Sequence, residues 1–135
     1  KTTDGTTPLL MAAQNGHVET ATALLGHNAD PNKATTADGT TPLSMAAQNG
    51  HVDIATSLLE HNADPNQATI DQHGYTPLIV AVQFGQLEAV AALLAGNADL
   101  TLSSTDSGQW TPLSMAVDEG HTAIAELLKQ HGATA

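Results

Sequence analysis

An all-α solenoid of stacked two-helix units is the architecture this sequence specifies. Four stretches align with one another: "TTPLLMAAQNGHVETATALLGHNADPN" from Thr6, "TTPLSMAAQNGHVDIATSLLEHNADPN" from Thr40, "YTPLIVAVQFGQLEAVAALLAGNADLT" from Tyr75 and "WTPLSMAVDEGHTAIAELLKQHGATA" from Trp110. Their prolines fall at Pro8, Pro42, Pro77 and Pro112, a period of 34 or 35 residues, which is the length of a small unit that must stack on its neighbours to bury an apolar face. Each copy also carries two apolar runs at helical spacing, parted by a glycine and followed by a polar tail. One domain over residues 1–135 is expected, with units over approximately 1–35, 36–70, 71–105 and 106–135.

The first element of each unit is a short helix. Thr7, Thr41, Thr76 and Thr111 stand as N-caps, each followed by proline at the first helical position, where its missing N–H costs nothing. Leu9, Met11, Ala12 and Ala13 supply the apolar side in the first copy, and Gly16, Gly50, Gly85 and Gly120 end these helices. The second helix carries Val18, Ala21, Leu24 and Leu25 on one face. Asn28, Asn62, Asn97 and Gly132 then stand where the chain needs a left-handed residue, a conformation that asparagine and glycine tolerate. The remaining tail, "DPNKATTADG" in the first copy, is a projecting loop that leads back to the next Thr-Pro.

These residues resemble the ankyrin repeat, whose signature is Gly-x-Thr-Pro-Leu-His, a Gly-His turn, paired leucines and Gly-Ala-Asp. The resemblance covers essentially the whole chain in four copies. It implies a stack with the second helices at the back, and a concave front of first helices and β-hairpin-like loops that binds a protein or peptide. The contact positions it implies are Thr3, Asp4 and Thr6; Ala37, Asp38 and Thr40; Gln72, His73 and Tyr75; and Ser107, Gly108 and Trp110 in the loops. On the helices they are Gln14, Asn15, Gln48, Asn49, Gln83, Phe84, Asp118 and Glu119. Leu10, Ser44, Ile79 and Ser114 replace the signature histidine, so the hydrogen bond that histidine makes in the family is lost or altered. Asparagine replaces the glycine before Ala-Asp in three units, and the loops carry an extra residue or two near Thr35, Thr69 to Ile70 and Ser104 to Thr105. Lys129 fills the slot of Leu25, Leu59 and Leu94, as an end unit with one face in water would require. The first unit has no comparable polar substitution, which leads to the expectation that further sequence precedes Lys1.

Charge narrows the partner class. Lysines 1, 33 and 129 are the only basic residues apart from histidine, arginine is absent, and the formal net charge is −11. Such a chain should be repelled by nucleic acid and by anionic membranes, and a basic or neutral protein surface remains as partner. No cysteine is present, which excludes disulfides and thiolate zinc sites and favours a cytoplasmic or nuclear setting. No apolar run is long enough to span a bilayer, and no secretion signal opens the chain. A monomer without cofactor or metal is expected.

The chain has three aromatic side chains, Tyr75, Phe84 and Trp110, and all align with front positions of the third and fourth units. Aromatic anchors dominate many interfaces, so these three head the candidate contact set, joined by His73, Gln83, Asp118, Glu119, Asp38 and Thr40. The competing reading is that an aromatic before Thr-Pro only packs on the neighbouring loop. His17, His51 and His121 follow the turn glycine and read as structural; His27, His61 and His131 sit at the ends of second helices, where a cation is welcome. Ser114, Asp118 and His121 have the residue types of a catalytic trio, but each fills a slot that Ser44, Gln48 and His51 fill elsewhere, so an enzyme is not expected. Two alternatives to a binding module remain. Asn32 and Asn66 resemble sites where family members are hydroxylated by an oxygen-dependent asparagine hydroxylase, and the domain could be a spacer or targeting element of a larger effector or scaffold.

Overall fold

The computed structural model describes residues 5–133; Lys1, Thr3 and Asp4 lie outside them. Eight helices are found among the described residues: α1 (Pro8–Asn15), α2 (Val18–Gly26), α3 (Pro42–Asn49), α4 (Val52–Glu60), α5 (Pro77–Gln83), α6 (Leu87–Ala95), α7 (Pro112–Glu119) and α8 (Thr122–Gln130). They pair in sequence order. The first helices α1, α3, α5 and α7 form one row, each against the next, and α2, α4, α6 and α8 form a second row.

Local chemistry sets the helix ends. Each N-cap threonine accepts a backbone N–H three residues on, from Leu10, Ser44, Ile79 and Ser114, at 3.1 to 3.2 Å. Ser44 and Ser114 also return a bond, accepting the N–H of Thr41 at 3.3 Å and of Thr111 at 2.9 Å. This reciprocal box satisfies two backbone donors of the first turn at two units, while Leu10 and Ile79 are simply buried. Asn28, Asn62 and Asn97 take φ of 68 to 72° after the second helices.

One continuous core runs between the rows, through Leu9, Leu43, Leu78 and Leu113 in front and Ile54, Leu58, Val90, Leu93, Ile124 and Leu128 behind. Burying each such side chain stabilises the fold by about 1.5–3 kcal/mol. Alanines at Ala13, Ala46, Ala47, Ala81 and Ala116 are fully covered, and their small size lets neighbouring first helices approach closely. Met11 departs from the expected apolar side. It is 45% exposed while its equivalent Met115 is buried, and Leu10 takes the core place in α1. No described unit precedes α1 to cover Met11. Val18, also expected in the core, is exposed, as is its equivalent Leu87 in the third unit, so this position lies at the edge of the core whether or not a unit precedes it.

The projecting loops, or fingers, are closed by a repeated relay. The backbone N–H of Thr40, Tyr75 and Trp110 donates to the hydroxyl of Thr35, Thr69 and Ser104 respectively. Each hydroxyl in turn donates to a finger carboxylate, Asp38, Asp71 or Asp106, at 2.6 to 2.8 Å. Backbone bonds run alongside, from Thr35 N to Thr40 O, Thr69 N to Tyr75 O and Ser104 N to Trp110 O. Adjacent fingers are tied by Ile70 N to Asp38 O at 2.8 Å and Thr105 N to His73 O at 3.0 Å. The hydrogen bonds from Thr35 and Thr40 hold the Asp38 carboxyl below its ordinary range. Desolvation pushes Asp71 up, but bonds from Thr69, His73 and Gly74 outweigh it and the net direction is down.

The second and third fingers carry glycine, at Gly39 and Gly74, immediately before the residue that precedes Thr-Pro; the fourth finger has Gln109 there, held at φ 45°. At Gly39 the glycine is required twice over: φ is 74°, and a Cβ would stand 2.8 Å from the Ile70 backbone nitrogen of the next finger. No described finger follows Gln109, so its side chain is exposed and only the backbone strain remains. Gln109→Gly is therefore expected to raise stability by about 0.5–1 kcal/mol in denaturant unfolding, and a lower midpoint would contradict this assignment. A second expectation concerns acid. Asp38 and Asp71 have folded pKa values below the unfolded one, so the stability they contribute is complete above the unfolded aspartate pKa of about 4 and is lost as pH falls through the folded values. Amide shifts of Thr40 and His73, followed by NMR on acidification, should titrate below that value; midpoints at or above it would show that the relay does not hold these carboxylates.

Candidate interaction surface

The fingers and first helices together enclose an open depression at the second and third units. It is lined by Asp38 and Thr40 from the second finger, Thr69, Asp71, His73 and Tyr75 from the third, Gln48 of α3, and Val80, Gln83 and Phe84 from α5 and its C-cap. Seven expected contact residues, Asp38, Thr40, Gln48, His73, Tyr75, Gln83 and Phe84, therefore meet in one place. Phe84 is 51% exposed. It ends α5 one residue before the left-handed Gly85.

Tyr75 is half-buried, with one side against the core. His73 stacks beside it, ring centroids 5.1 Å apart and tilted by 33°. His73 Nδ1 also lies 3.3 Å from Asp106 Oδ2, linking the third finger to the fourth. Burial, then the carboxylates of Asp106, Asp71 and Glu119, push the Tyr75 hydroxyl above the ordinary phenol range. That ordering places anionic groups around the ring.

Trp110 is also half-buried against the core. Its indole lies over Gly108 at the tip of its own finger, where any Cβ would collide with it. Trp110 does not line the depression around Phe84, so the three aromatics do not form one cluster. Asp118 and Glu119 end α7 in exposed positions.

Two of the histidines after the turn glycine act between units. His51 Nε2 lies 3.2 Å from Gln14 O, and His121 Nε2 lies 3.4 Å from Gln83 O. At the third unit Gln86 makes the same link, donating from Nε2 to Gln48 O at 3.0 Å. His61 and His131 instead fold back on carbonyls of their own helices. Ser114 is engaged with the Thr111 cap and His121 with Gln83, so neither is turned to the other. Among the described residues no group of three His, Cys, Asp or Glu could hold a metal, and no helix is long and apolar enough to cross a membrane.

Asn32 and Asn66 have a structural task. Asn32 Oδ1 accepts the backbone N–H of Asp64, and Asn66 Oδ1 that of Asp99, each at 2.7 Å. Reading the residues alone missed this ladder and the finger relay. The signal was present in both cases: asparagine recurring at one unit spacing, and Thr or Ser followed two or three residues on by Asp in every finger.

A family model of ankyrin repeats (3 copies) matches residues 1–69 and again residues 67–135. No curated protein matches the chain. The eight helices fit such repeats, although the family model describes three copies per match and the described residues fold into four helix pairs. The chain belongs to the ankyrin-repeat family.

Proposed function

We propose that this chain is a monomeric protein-binding module, without catalysis of its own, that takes a partner protein or peptide on its finger-and-first-helix face. Ankyrin repeats are generally protein–protein interaction modules. The observation that carries the reading here is the meeting of Tyr75, Phe84, Gln83, His73, Asp38 and Thr40 in one depression, beside an aromatic ring left half in water. Phe84 lacks the cover that a core role would give it, and exposed aromatics beside polar groups are frequent interface anchors. The relay bonds and the inter-finger bonds fix the backbone around this surface before any partner arrives, so little entropy is lost on binding.

Affinity purification with the wild-type domain as bait, followed by calorimetry on the captured partner, tests the reading. Phe84→Ala and Tyr75→Ala should each weaken that partner by about 2 kcal/mol, roughly thirtyfold, with circular dichroism unchanged. Thr56→Ala, an exposed position on α4, should leave affinity as it was. Equal affinity for all four proteins would remove this surface from consideration.

A further inference from the structure

The depression at the second and third units is suited to one long side chain. Its volume is about 240 Å³, below the roughly 300–1,000 Å³ of typical small-ligand sites. Aromatic and aliphatic groups, Tyr75, Phe84 and Val80, share it with two carboxylates, Asp38 and Asp71. The finger hydrogen bonds fall on Oδ1 of each carboxylate, leaving Oδ2 as an acceptor. No lysine lines the depression: Lys33 lies beside α1 and α2, and Lys129 pairs with Glu126 on α8 at 3.7 Å. The chain supplies no arginine of its own, and its net charge is −11.

We propose that the occupant is an arginine side chain carried on an extended segment of a partner protein, its guanidinium lying against Phe84 and Tyr75 and bonded to Asp38 and Asp71. Arginine suits this setting better than lysine because its planar, weakly hydrated group stacks on aromatic faces and bonds carboxylates through several N–H donors at once. The hydrogen bonds that hold both aspartates ionised, and the anionic surroundings of Tyr75, act in the same direction. The chain's overall negative charge would steer such a segment towards it. This inference rests on the finger-and-first-helix face being the binding surface.

A phage-displayed library of random dodecapeptides, selected on the wild-type domain and counter-selected on Phe84→Ala, tests it. Enriched peptides should share an arginine, and a synthetic copy should shift the amides of Asp38, Thr69 and Phe84 in NMR spectra. Replacing that arginine by citrulline should weaken binding at least tenfold, and so should Asp71→Asn, which keeps an oxygen for the Thr69, His73 and Gly74 bonds but removes the charge. Peptides that bind here without arginine, or that tolerate citrulline, overturn the occupant while leaving the binding surface in place. Enrichment of peptides that perturb amides elsewhere and bind Tyr75→Ala as well as wild type overturns the surface too. Failure of any peptide to enrich overturns the extended segment and leaves a folded partner on the same face.

Discussion

Successive units of this chain come within backbone contact of one another, and the arrangement of the binding face follows from that closeness. Gly39 admits the Ile70 nitrogen, and Gly16 admits the His51 ring, at distances a Cβ would not allow. Because the chain can approach so far, Ile70 N reaches Asp38 O and the His51 ring reaches Gln14 O. A stack held this way has no freedom to slide one unit against the next, since a bond on the finger side and a bond on the helix side would both break. Repeat proteins derive their stability from such nearest-neighbour terms.

The same closeness determines what the front displays. In the second, third and fourth fingers the relay from backbone N–H through a hydroxyl to a carboxylate fixes the residue just before Thr-Pro. In the second unit that residue is Thr40, in the third Tyr75 and in the fourth Trp110. One scaffold thus presents a small polar group and two aromatic ones at equivalent positions. The third and fourth units share the finger bond and the turn-histidine link but differ from the others at the end of the second helices. Thr101 stands where Asn32 and Asn66 stand earlier, so the asparagine bond does not recur, and the His73–Asp106 contact ties these two fingers together instead.

Much of the fold was legible in the sequence because it rests on local rules applied four times. Thr-Pro, the turn glycines and the asparagines each impose a backbone conformation by themselves, and the structure has a cap or a positive φ at each. Met11 was misjudged because helical spacing reports which residues share a face, whereas burial depends on whether another unit lies against that face; Val18 was misjudged because its position stays exposed in the third unit too, at Leu87. The candidate site was legible only by position. Alignment placed Tyr75 and Phe84 in front, yet nothing in the spacing foretold that Phe84 and Trp110 belong to separate surroundings, or that Asp38 and Asp71 use one oxygen for the finger and keep the other. The carboxylate bonds are local to each finger, between residues two or three apart, but which oxygen they use depends on the folded turn and not on residue type or spacing.

Hydrogen exchange at two finger amides tests the central claim, that neighbouring units are bonded finger to finger. Ile70 and Thr105 are exposed residues, so their N–H groups would exchange freely if the fingers were independent. With each N–H donated to the preceding finger, at Asp38 O and His73 O, both amides should exchange far more slowly than the unprotected chain, and together with the helices that carry them. Exchange of either amide at the rate of an unstructured peptide, in a domain whose helices remain protected, would contradict the account.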